Sequence, residues 1–110
     1  MKVHIMNLNL IAFEQVVNRV KAIETRLYDE KRKSINIGDA ITFWCNNEKI
    51  NVIVTDLLKY KRFEDLFTDN DLNLFGGTSL DDLMTIYKYY SKEDEAKYGV
   101  LGIKFKLLQK

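Results

Sequence analysis

The chain has 110 residues, 46% of them apolar, with 17 Lys/Arg, 16 Asp/Glu, one Cys, one His and no Pro, for a formal net charge of +1. That length suits a single domain over 1–110 with one modest core. The balanced charge does not by itself indicate a polyanion partner, and the lone Cys45 excludes a disulfide framework or a cysteine-built metal site; with neither a signal peptide nor a membrane span legible, a cytoplasmic protein is the expectation.

His4 to Asn9 alternates His4, Met6 and Leu8 with Ile5, Asn7 and Asn9, the period of a first strand. Leu10, Phe13, Val16, Val17 and Val20 then recur at spacings of about 3.6, which predicts a helix from Leu10 to Arg19 with its apolar stripe on the core. Ala22 to Tyr28 returns to period two and predicts a second strand, in which Glu24 and Arg26 share one face while Ile23, Thr25 and Leu27 share the other. Asp29 to Ser34 is too polar to bury and is expected as a loop. Gly38-Asp39 signals a turn before the run Ile41 to Cys45, and Asn46 to Lys49 separates that run from Ile50 to Thr55, so the two runs form a hairpin. The second arm is apolar on both sides of its pleat, as a central strand is. Cys45, inside the apolar first arm, reads as a small buried thiol.

Tyr60, Phe63, Leu66 and Phe67 fall at helical spacing and predict a short helix over Lys59 to Phe67. Gly76-Gly77-Thr78-Ser79 lacks the lysine of a phosphate loop and reads as a turn. Ser79 with Asp82, and Ser91 with Asp94, repeat a helix-capping pattern; the first helix carries Leu80, Leu83, Met84 and Tyr87, and Gly99 ends the second. Val100 to Leu108 is a last strand with Ile103, Phe105 and Leu107 on one side and Lys104 and Lys106 on the other. About five strands mixed irregularly with three or four helices indicate an α+β fold.

Charge is unevenly spread: residues 1–63 hold 11 Lys/Arg against 7 Asp/Glu, residues 64–95 hold 2 against 9, and residues 96–110 hold 4 against none. The acidic segment from Asp81 to Glu95 could bind a basic partner. It also argues against uniform coating of a long nucleic acid and for a short segment or single nucleotide.

The pattern Lys21-x-x-Glu24-x-Arg26, after an amphipathic helix and ahead of Gly38-Asp39 and Ile41-Thr42-Phe43, resembles the ASCH domain of the PUA-like superfamily. Later stretches share the resemblance: Tyr60 to Leu66, Thr78-Ser79-Leu80, Tyr89-Tyr90-Ser91, and Tyr98 to Ile103. The family pattern is GxKxxExR, and Arg19 stands where the family usually has Gly. The resemblance implies a small β-barrel with short helices packed at its ends and a cleft where Lys21, Glu24 and Arg26 converge. It also implies an RNA or nucleotide ligand. Some ASCH proteins resemble hydrolases of N4-acylated cytidine that use a Lys, a Thr and a Glu, and others have been linked to RNA cleavage. Here Glu24 occupies the Thr position, and Leu74-Phe75-Gly76-Gly77 occupies the loop that carries the acid. An enzyme on this chain would use Lys21 and Glu24 as its catalytic groups.

An Arg fork and an ammonium suit phosphate oxygens, and a carboxylate can accept from a base amino group. The three groups could equally be surface ion pairs, typically contributing about 0–1 kcal/mol. Lys31, Arg32 and Lys33 form a basic segment expected beside the cleft, where with Arg19 they could attract a phosphate backbone. Tyr28, Trp44 and Tyr89 could stack on a base, although packing roles suit them too. Tyr87 and Tyr90 fall on an apolar stripe, and His4 reads as structural. Neither a cofactor nor a metal is implied.

Overall fold

Five strands set the architecture: β1 (Val3–Asn7), β2 (Ile23–Leu27), β3 (Ala40–Cys45), β4 (Glu48–Tyr60) and β5 (Val100–Leu107). In the computed structural model, which describes residues 1–108, they form one sheet in the order β1-β3-β4-β5-β2. The last positions of the expected 1–110 domain lie outside the described residues. β1 runs parallel to β3, and every other neighbouring pair is antiparallel. The sheet curls into a half-barrel, so its edge strands β1 and β2 approach each other, and Arg26 Nη2 on β2 donates to Asn7 O on β1 at 2.9 Å.

Strand alternation puts apolar residues on both faces of this sheet. Met6, Ile41, Phe43, Val52, Val54, Leu101, Ile103 and Phe105 line the concave side, closed by Val16 and Ile35. The opposite face carries Ile23, Leu27 and Val100 under Phe63, Leu66, Phe67 and Phe75. Gly102 makes the second layer possible: a Cβ there would lie 2.9 Å from Leu66 Cδ1 and 3.3 Å from Ile23 Cγ2.

The helices are α1 (Leu10–Val17), α2 (Glu30–Lys33), α3 (Phe63–Thr68), α4 (Leu80–Leu83) and α5 (Lys92–Tyr98), with 3₁₀ turns at Leu72–Phe75 and Met84–Lys88. Asn9, Asp29, Ser79 and Ser91 each accept a main-chain N–H from the first turn that follows, satisfying donors that a helix start leaves free.

Four expectations are corrected. Asp29 to Ser34 is not an irregular loop, because Asp29 caps a single helical turn, α2. The helix expected from Lys59 starts at Phe63: β4 continues to Tyr60 past an irregularity between Val54 and Asp56, which lets Leu58 and Tyr60 join the Phe63 layer. The helix after Ser79 tightens into 3₁₀ geometry from Met84 instead of continuing as one α-helix. The helix expected from Leu10 to Arg19 ends at Val17, and of its expected stripe only Phe13 and Val16 are buried, while Leu10, Val17 and, beyond the helix, Val20 are exposed; a helix this short meets the sheet along one narrow ridge.

Candidate functional site

In antiparallel pairing, residues directly opposite share a face, so the register Glu24↔Ile103 and Arg26↔Leu101 puts Glu24 and Arg26 on the concave side. The other four strands line that side mainly with apolar groups, His4 and Lys59 apart, and β2 interrupts the lining with a cluster of charge. The alternative of exposed surface ion pairs does not describe the group, since both faces of β2 are covered and Glu24 is 8% exposed.

Glu24 is held from both sides. Arg26 Nε donates to its Oε2 at 2.8 Å, and Lys21 Nζ lies 3.4 Å from its Oε1. Each cation also donates to a main-chain carbonyl, Lys21 Nζ to Phe75 O at 3.1 Å and Arg26 Nη2 to Asn7 O at 2.9 Å. Lys21 reaches this position through the turn that precedes it. Arg19 adopts φ 63°, the left-handed conformation, and Val20 N and Lys21 N both donate to Gln15 O. The family's Gly preference at this position thus corresponds to a real backbone demand, which an arginine meets here.

The three groups stand on the wall of an open cleft of about 580 Å³. One side comes from Asn7, Leu8 and α1, and the other from Phe67, Phe75, Leu83, Ile86 and Tyr90. Gly76 and Gly77 turn the rim, and Gln15 Nε2 fastens that rim by donating to Gly76 O at 2.7 Å. Gly76 takes φ 78°, so the double glycine is a shaped turn rather than a slack one.

The sequence candidates divide into two groups. Lys21, Glu24 and Arg26 come together; Lys31, Arg32 and Lys33 lie on α2, and none of them lines the cleft. Arg32 Nη1 folds back to within 3.4 Å of Asp29, and Lys33 Nζ to within 3.3 Å of Glu30. Of the aromatic candidates for stacking, Tyr89 lines the cleft and is 72% exposed. Tyr28 instead lies under Lys33 and Lys59, and Trp44 under Lys49.

Tyr87 and Tyr90 pack on Phe63. Glu95, counted among the acidic residues available to a partner, is buried and accepts from Phe63 N and Tyr87 Oη. Cys45 is a buried free thiol, and His4 Nε2 lies 2.9 Å from Asp39 Oδ2. Sequence reasoning missed Gln15, Asn7 and Thr25 as parts of the site, since each enters through a contact or a strand edge that local periodicity does not report. Among the described residues, no cluster of three His, Cys, Asp or Glu groups is placed to hold a metal, and no helix is long and apolar enough to cross a membrane.

A model of the ASCH domain matches residues 6–109. Among solved structures, the chain is similar to that of the hypothetical protein PH0355 at 32% identity and TM-score 0.87, over 98% of this chain and 100% of that one. It is similar to protein PF0455 from Pyrococcus furiosus at 33% identity and TM-score 0.79, over 98% of this chain and 99% of that one. A mutant ZmASCH protein from Zymomonas mobilis shares the fold at 9% identity and TM-score 0.60, over 96% of this chain and 68% of that one. No curated protein matches the chain.

Proposed function

Because this chain belongs to the ASCH domain family, with its PUA-like α+β half-barrel, we propose that it is an RNA- or nucleotide-binding module whose ligand enters the cleft beside Lys21, Glu24 and Arg26. One observation carries the reading: three charged side chains, each 10–15% exposed, converge on a cleft of about 580 Å³ where most of the concave face is apolar. A volume of that order fits a nucleotide-sized ligand. Arg26 and Lys21 supply donors for phosphate or carbonyl oxygens, and the free lone pairs of Glu24 accept from an amino group. Tyr89 offers an aromatic face at the rim. Lys31 and Lys33, exposed on α2, contribute long-range attraction to phosphate rather than contact.

A hydrolase of N4-acylated cytidine or RNA is the less favoured reading. Lys21 Nζ is shared between Glu24 and Phe75 O, which suits an electrostatic group better than a free base. Thr25 sits one residue from the position where those hydrolases carry their Thr, with its side chain on the opposite face of β2.

Calorimetric titration of the four nucleoside monophosphates and short single-stranded RNAs at two salt concentrations tests the proposal. We expect salt-sensitive binding that Arg26→Ala weakens by about tenfold or more, as loss of a charge-assisted hydrogen bond would. Circular dichroism checks that the variant is folded. An absence of binding by the wild type to every probe overturns the proposal. Turnover of N4-acetylcytidine, lost in Lys21→Ala, would replace it with the enzyme reading.

A further inference from the structure

The floor of the cleft holds a pair of groups that no part of the description above uses. Phe105 N donates to Ala22 O and Tyr28 N donates to Gly99 O, and both pairs fit the register of β2 against β5. In an antiparallel ladder, hydrogen-bonded and non-bonded positions alternate, so Glu24, Arg26 and Tyr28 turn their main-chain groups toward β5, as does the C=O of Ala22, whose N–H goes instead to Leu74 O. Ile23, Thr25 and Leu27 turn theirs the other way. β2 is an edge of the sheet and has no strand on that side. Among the described residues, nothing hydrogen-bonds to the N–H or C=O of Thr25. Ile23, Thr25 and Leu27 are all buried, at 0%, 9% and 7% exposed, and of the three only Thr25 lines the cleft, between Glu24 and Arg26.

Buried main-chain groups are rarely left without a partner, because each one costs as much as a lost hydrogen bond. Thr25 therefore presents an adjacent donor and acceptor, fixed in direction by the strand, to whatever fills the cleft. Building on the ligand reading above, we infer that the open edge of β2 at Thr25 is the base-reading subsite: its N–H and C=O pair with the Watson–Crick edge of a single unstacked nucleobase. Every nucleobase carries a donor beside an acceptor on that edge, and unpaired RNA bases are commonly read there. A flat ring bonded edge-on to Thr25 extends the plane of the sheet. Phe67, Phe75 and Tyr90 then lie toward one ring face, and the Lys21–Glu24–Arg26 group toward the other.

The same edge has the polarity to accept a peptide strand, but of its three outward-turned residues only Thr25 lines the cleft. Leu74 O takes the Ala22 N–H at one end, and the Arg26 side chain crosses to Asn7 O at the other. Strand addition needs several successive main-chain pairs, whereas a heterocycle needs one.

The test is an amide-resolved NMR titration of the full chain with uridine, cytidine, adenosine and guanosine monophosphates and their counterparts methylated on the Watson–Crick ring nitrogen. The expected result is that the Thr25 amide moves and exchanges more slowly with solvent on binding, while the shifts and exchange of the Ile23 and Leu27 amides do not change. Methylation of the tightest probe should cost about tenfold or more in affinity, the effect of breaking a hydrogen-bonded pair. Thr25→Pro, which deletes the outward N–H at an edge position where proline is tolerated, should weaken binding to a similar degree. Binding that Arg26→Ala abolishes, but that leaves the Thr25 amide unmoved and is indifferent to methylation, overturns the subsite and spares the cleft. Joint protection of Ile23, Thr25 and Leu27 means an added strand and also overturns it. No binding by any probe defeats the cleft reading and this subsite with it. The wild-type amide shifts decide the matter even if the proline variant does not fold.

Discussion

Glu24, Lys21 and Arg26 occupy a position where leucine-like side chains would serve stability at least as well. Replacing a buried ionic cluster by packed apolar groups is often neutral or favourable by about 1–4 kcal/mol. The trio's place on a mainly apolar concave face is what the proposed ligand role would account for and folding alone does not require. Arg19 makes a similar argument in the backbone. At φ 63° it holds a conformation that disfavours a side chain by about 1–2 kcal/mol, offset in part by the larger chain entropy a glycine would lose on folding. Arg19→Gly should raise the unfolding free energy by about 0.5–1 kcal/mol in urea denaturation, with nucleotide affinity changed little; a destabilised variant would show that the arginine side chain anchors the turn.

At the scale of elements, two buried carboxylates tie segments that are distant in sequence. Asp39 accepts from His4 on β1, and from the main-chain N–H groups of Asn36 and Lys2. The hydrogen bond to His4, followed by those to Asn36 and Lys2, lowers the Asp39 carboxyl from 3.8 to about 2. A carboxyl whose pKa falls on folding adds stability that is fully present above the unfolded value and is lost as pH drops through the folded one. Unfolding free energy should therefore decline between pH 3.8 and about 2 in the wild type, and Asp39→Asn, less stable at neutral pH, should show a flatter decline there. Equal slopes would remove Asp39 from the acid transition.

Glu95 joins α5 to α3 and to Tyr87, whose hydroxyl is raised to about 12 by burial and then by this hydrogen bond. Glu95→Ala leaves a buried N–H and a hydroxyl unpaired and should cost about 3 kcal/mol by chemical denaturation. A loss below about 0.5 kcal/mol, the level of ordinary surface substitutions, would contradict the tie.

These ties also mark how far the sequence could be read. Alternation in β2 placed Glu24 and Arg26 together, and the serine caps and Gly99 located α4 and α5. Period two, however, says which residues share a face and not which face is inside, so charge suggested solvent where the fold supplied a half-barrel interior. Contacts such as Arg26 to Asn7 O, Lys21 to Phe75 O and Glu95 to Phe63 N span 19, 54 and 32 residues and leave no local signature. Asn9, read from the alternation as the end of the first strand, instead caps α1, where one wall of the cleft begins.

For the whole molecule, curling of the sheet is what turns an edge into a site. A flat sheet would leave β1 and β2 at opposite borders, with Glu24 and Arg26 on open exterior; the curled sheet brings Asn7 within reach of Arg26 and encloses the cleft between α1 and the Leu72–Lys88 region. Charge is distributed to match. The exposed acids Asp81, Asp82, Glu93 and Asp94 lie on α4 and α5, and Asp82 reaches the cleft rim. On the proposed reading, repulsion from that side would restrict a polyanion to the neighbourhood of Lys21 and Arg26 and favour a short ligand over a long one.

The most direct measurement is an amide chemical-shift map of the wild-type chain saturated with its best-binding short RNA or nucleotide. The account predicts that the largest shifts fall on Lys21, Glu24, Thr25, Arg26 and the Gly76–Gly77 rim. Saturable binding whose shifts bypass these residues and gather on α2 or on α4 and α5, or no shift with any probe, would contradict it.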